Sequence, residues 1–184
     1  MIKNASLEGR FFLLIIFSLL GNMIRSQENI SSKTSIYMEL LGNAAGLSVN
    51  YDRIIYEKKF IVSACIGAGM VPANLIRRGL NVPQEKGIQV YGLPVSCNIS
   101  FGKKRHHAEL GVGATYQKGM YGVGHDYSKT LFGVIRIGYR YQKANGGFFW
   151  KAGFTPFFRI KEYGKISVPF FVLPIAGIGF GYSI

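Results

Sequence analysis

The chain of 184 residues is 48% hydrophobic and 14% aromatic, and its 22 Lys and Arg against 9 Asp and Glu give a net charge of +13. That length suits one domain rather than two, and only 2 cysteines exclude a disulfide-dense scaffold. Beyond the N-terminal segment no apolar run reaches the roughly 20 residues that cross a bilayer as a helix, so a helical membrane protein is excluded.

The first element is an export signal. Lys3 and Arg10 precede the apolar run from Phe11 to Ile24, and Arg25, Ser26 and Gln27 come after it. A basic flank, a short apolar stretch and a small residue predict a cleaved secretory signal over 1–26, leaving one domain over 27–184. Cleavage removes three basic residues and one acidic, leaving 19 against 8, a net +11. Nucleic acid is the common partner of such a balance, but an exported chain with no basic run beyond Lys103, Lys104 and Arg105 offers it no surface. Phosphate-rich lipid headgroups are the expected counterpart.

From about residue 34 onward the pattern is that of β structure. Alternation bounded by polar turns predicts strands over about 34–42, 45–56, 60–71, 87–101, 106–117, 129–142, 147–159 and 167–184. The connections at 57–59, 103–105 and 144–147 are short, while 72–86, 118–128 and a loop near 161–165 lie between them. Short turns at one end and longer loops at the other, with both termini at the short-turn end, predict an all-β, closed antiparallel transmembrane barrel of about eight strands in up-and-down order. The first hairpin, around 42–45, is short where a long loop is expected. Strand parity favours two strands there over one bent strand.

The faces carry the same message. In the last segment Ala176, Ile178, Phe180, Tyr182 and Ile184 alternate with Gly177, Gly179, Gly181 and Ser183, which suits hydrocarbon on one side and a crowded interior on the other. Phe60, Val62, Ala64, Ile66, Ala68 and Met70 oppose Ser63, Cys65, Gly67 and Gly69; Leu131, Ile135, Ile137, Tyr139 and Tyr141 oppose Val134, Arg136, Gly138, Arg140 and Gln142; Phe148, Trp150, Ala152, Phe154 and Phe158 oppose Lys151, Gly153, Thr155 and Arg159. With the apolar face outward, Glu39, Asp52, Glu109, Arg136, Arg140 and Lys151 point inward. An Arg or Lys facing lipid at the midplane costs about 2–4 kcal/mol, so an inward network of opposite charges is the arrangement that offsets desolvation.

Recognised chemistry is sparse. Parity places Cys65 inward and Cys97 outward, which argues against a disulfide, and no ligand spacing supports a metal. No cofactor motif is present. His106 and His107 sit beside the basic turn at 103–105, where headgroup contact is expected. His125, Asp126 and Ser128 are the residue types of acyl transfer and lie in a predicted outer loop, but sequence adjacency does not make a triad. Arg77 and Arg78, beside Leu75, Ile76 and Leu80, mark a second outer loop suited to interaction.

The stretches SIYMELLGNAAGLSVNYDRII, GIQVYGLPVSCNISFGKKRHHAELGVGATY, GYRYQKANGGFFWKAGFTPFF and PIAGIGFGYSI resemble segments of small outer-membrane β-barrel proteins of Gram-negative bacteria, a group mostly without an assigned activity. The resemblance implies an integral outer-membrane location, contact with outer-membrane lipid and lipopolysaccharide phosphates, recognition of the C-terminal strand by the barrel assembly machinery, and a monomer. Such barrels usually end in an aromatic residue; here Ile184 takes that place, with Phe180 and Tyr182 before it. A structural or surface-interaction barrel with a lumen plugged by ion pairs is therefore expected, and not an enzyme. The alternatives are a narrow pore or small-ligand transporter, and a lipid-modifying acyl-transfer or deacylating enzyme.

Overall fold

The computed structural model describes residues 30–71, 88–121, 126–164, 172–173 and 175–184; the leader at 1–26, Arg77, Arg78 and His125 lie outside them. Alternating side chains put the described chain into strand almost throughout: β1 (Thr34–Leu41), β2 (Gly46–Glu57), β3 (Ile61–Val71), β4 (Ile88–Lys103), β5 (His106–Tyr121), β6 (Asp126–Gln142), β7 (Gly147–Phe154), β8 (Phe157–Gly164), β9 (Val172–Leu173) and β10 (Ala176–Ser183). From β1 to β6 each strand pairs antiparallel with the next.

These segments form eight staves of one barrel. Ile137 pairs with Phe154 of β7 and Val134 with Phe157 of β8, so β7 and β8 continue one line along β6. The break falls at Thr155–Pro156, where proline lacks the N–H that a ladder needs; the ladder is bridged by Ile135 N donating to Pro156 O. Likewise Leu173 of β9 pairs with Phe157, and Ala176 of β10 with Phe154, in one register. β10 then pairs with β1 from Ser35–Ser183 to Leu40–Ile178, and Thr34 and Ile184 exchange two backbone hydrogen bonds. Closure leaves no unpaired sheet edge between first and last stave.

The turns at 58–60, 104–105 and 143–146 share one end of the barrel with Thr34 and Ile184. The turn after β1 and the connections through 72–87, 122–125 and 165–171 join strands at the other, long-loop end. One predicted loop is shorter than expected and another is displaced along the chain. β5 and β6 run on to the pair Tyr121–Asp126, so Asp126 and Ser128 belong to a strand rather than an outer loop, and β8 reaches Gly164, taking most of the loop expected at 161–165. In both places the ladder continues because the partner strand offers matching backbone groups.

The outer wall is apolar from stave to stave: Ile36, Met38, Val49, Ile66, Leu93, Val112, Ile137, Phe154 and Ile178 are all exposed. The inner wall is polar and buried, with Ser35, Ser48, Asn50, Ser63, Asn98 and Thr115 at 0–2% exposure. This inverts the usual polarity of a folded domain, in which large exposed apolar patches are rare.

Candidate functional site

The lumen gathers the charged chemistry. β1 carries Glu39, β2 Asp52, β5 Glu109, β6 Arg136 and Arg140, and β7 Lys151, all on inward positions and all at most 1% exposed. Arg136 Nη1 donates to Glu39 Oε1 at 2.6 Å, and Arg140 Nη2 to Asp52 Oδ1 at 3.0 Å. Glu109 is the hub. Its Oε1 accepts from Lys151 Nζ at 3.1 Å and lies 2.8 Å from Arg136 Nε, while its Oε2 is 3.5 Å from Arg140 Nη1. The Arg136 Nε approach is a charge contact rather than a directed hydrogen bond, since its N–H finds no aligned acceptor.

Three carboxylates and three cations leave this network neutral. The hub explains an otherwise awkward register: Arg140 and Lys151 are direct cross-strand partners, and like charges so placed repel, yet both reach Glu109. Ser63 Oγ donates to Asp52 Oδ2 at 3.2 Å and accepts from Arg140 Nη1 at 3.3 Å. Arg140 Nε also donates to Gln142 Oε1 at 2.8 Å.

Four buried aromatic side chains inside the barrel, among the described residues, are missed by the rule that apolar residues face out. Phe132, on the face of Arg136, meets Phe157 edge-on at 5.8 Å beside Val134, and Tyr37 and Phe149 lie among the charges. Tyr37 shares its face with Glu39, and Phe149 with Lys151; their rings lie 5.3 Å apart. Lys151 Nζ stands 4.9 Å from the Tyr37 ring centre and the Arg140 guanidinium 4.9 Å from that of Phe149, so the rings lend their negative faces to desolvated cations. Parity with Glu39 and Lys151 is the sequence signal that finds these two.

Both ends of the lumen are filled by the chain itself. After β1 the backbone turns inward through Gly42, Asn43 and Ala44, all buried. Thr115 Oγ1 donates to Asn43 O at 2.6 Å, Gln117 Nε2 to Ala44 O at 3.2 Å, Asn43 Nδ2 to Ser96 Oγ at 3.2 Å, and Asn43 N to Glu39 Oε2 at 3.2 Å. The first hairpin is thus two strands joined by an inward plug rather than an outer loop. A Cβ on Gly177 would lie 2.3 Å from Gly42 N, so the plug seats only against glycine. At the short-turn end Ile30 packs on Ile54 and Ile61, its N–H donates to Glu57 Oε1, and Gln142 Nε2 donates to Ser32 O at 2.9 Å.

The remaining candidates separate. Cys65 is buried and 3.2 Å from the Tyr37 hydroxyl, whereas Cys97 is exposed on the outer wall. His106 is exposed and hydrogen-bonded to the Tyr139 hydroxyl, but His107 is 2% exposed and faces inward opposite Arg140. Headgroup contact therefore suits the first histidine only, because adjacent strand residues point to opposite faces. Ser128 is buried on β6. Among the described residues no three His, Cys, Asp or Glu side chains gather as metal ligands. Comparison with known proteins finds no matching family model, no matching curated relative and no matching solved structure.

Proposed function

We propose that this chain is an integral outer-membrane β-barrel protein of Gram-negative type, exported by its N-terminal leader, with a structural or surface-interaction role and a lumen closed to flow. The observation that carries this reading is the inverted polarity of a closed barrel, with an apolar wall outside and six paired charges inside. In water, that wall would leave Ile36, Met38, Ile66, Leu93, Val112, Ile137 and Phe180 hydrated at 48–64% exposure, with only small apolar clusters among the described residues to compensate. In hydrocarbon the same residues are matched, and pairing between neighbouring staves satisfies the backbone of the wall, as a bilayer demands.

An aromatic girdle of Tyr56, Phe60, Tyr139, Tyr141 and Trp150 near the short-turn end fits the interfacial level of a membrane. Lipopolysaccharide phosphates at the long-loop end and the assembly machinery at the C-terminal strand are the partners this reading implies. Fractionation tests it: the mature chain is expected in detergent-extracted outer membrane, with a gel mobility that changes on heating. Recovery as a soluble periplasmic monomer overturns it.

A further inference from the structure

We propose that the short-turn rim carries a binding site for anionic phospholipid, built on the outer wall where β5, β6 and β7 meet the basic turn at 103–105; the inference rests on the proposed membrane location. Because the lumen network is neutral, the positive excess of the chain lies outside it. Much of that excess stands at one end. Lys58 and Lys59 occupy the turn after β2, Lys103 ends β4 with Lys104 and Arg105 in the turn that follows, and Lys143 stands in the turn after β6; all are exposed except Lys143, which is half-buried.

The site is more than a run of lysines. Lys103, His106, Tyr141 and Trp150 form one row across four strands, through the pairs Lys103–His106, His106–Tyr141 and Tyr141–Trp150. Around that row the rings build a platform. His106 lies 5.6 Å edge-on from Tyr141, Tyr139 5.0 Å from Trp150, and Tyr141 6.4 Å and nearly parallel to Trp150. The His106 ring is tied to the Tyr139 hydroxyl, and Arg105 O accepts from Gln142 N at 3.0 Å, which holds the basic turn against the platform.

An aromatic platform seats beside glycerol and upper acyl carbons, since amphipathic rings favour the interface. The cations beyond it stand at phosphate level, where each Lys or Arg attracts an anionic surface. A phospholipid with net negative charge satisfies both halves. A zwitterionic lipid offers the rings the same chain but brings a second cation to the basic turn.

Trp150 is the single tryptophan of the chain and reports on the site directly. The purified, folded barrel is reconstituted in phosphatidylcholine containing a fixed fraction of acyl-brominated phosphatidylglycerol or, in parallel, phosphatidylcholine brominated at the same carbons. Brominated phosphatidylglycerol is expected to quench Trp150 as if enriched roughly two- to five-fold around it, falling to parity at about 1 M salt, where the screening length is about 3 Å. The triple variant K103Q/K104Q/R105Q, checked for folding by its heat-dependent gel shift, is expected to abolish the preference, while K118Q on β5 near the long-loop end leaves it intact. Equal quenching by the two lipids overturns the site while leaving the membrane reading standing, as does an equal loss in K118Q, which would make the preference one of net charge. Quenching by neither lipid overturns the membrane reading itself.

Discussion

Glu109 holds together a register that charge alone would forbid. It contacts Lys151 at 3.1 Å, Arg136 at 2.8 Å and Arg140 at 3.5 Å, so its neutralisation leaves Arg140 and Lys151 facing one another across the β6–β7 ladder. Glu109→Gln is expected to destabilise the barrel by about 3–5 kcal/mol, the cost of breaking a buried pair from one side. Arg136→Ala strands Glu39 in the same way and is expected to fall in the same range. Urea unfolding of the two single variants and the double variant checks both: the double should cost less than the sum, because the residues share one contact. Unfolding curves indistinguishable from the parent would show that the network contributes nothing to stability. The inward positions of the six charged residues follow from strand parity, which the sequence displays; their partners do not, since Glu39 and Arg136 are 97 residues apart.

Among the elements, the turn after β1 departs furthest from expectation. Leu41 has φ 62 and ψ −122, and Ala45 φ 58, conformations that cost a non-glycine residue about 1–3 kcal/mol each. Hydrogen bonds to Thr115, Gln117 and Ser96 offset that strain by holding the turn inside the lumen. Thr115→Val keeps the volume and removes the 2.6 Å bond to Asn43 O, leaving a buried carbonyl short of its donor. A loss of about 1–3 kcal/mol is expected, with faster protease cleavage near 42–45; unchanged stability and cleavage would mean that the turn is not held by that bond. Nothing local in GlyAsnAlaAla announces a plug, because its anchors sit on β4 and β5, at separations of 53 and 72 residues. The interruption between β7 and β8 is the opposite case, since Pro156 is visible in the sequence and acts where it stands.

At the scale of the whole molecule, eight staves enclose a space that side chains can fill, and here ion pairs, four aromatic rings and two inward chain segments fill it. In a planar bilayer the purified barrel is expected to pass little or no steady current. A conducting path lines itself with one sign of charge more often than with balanced pairs. Reproducible single-channel openings that respond to charge reversal at Arg136 or Glu109 would replace the closed barrel with a transporter.

The sequence by itself determined the class of fold, the two faces of each stave and the inward set of charges, because period-two alternation is a local property that survives without knowledge of any partner. It also marked the short turns, where Gly146, Gly147 and Lys104 adopt positive φ. Only the tertiary structure decided which charge meets which, that Glu109 serves three cations, that the first hairpin turns inward, that His107 is buried while His106 joins an aromatic platform, and that Ser128 lies within a strand. Each of these depends on closure of the sheet, which brings β1 against β10 and sets the register of every wall residue across the lumen, at separations no local pattern encodes.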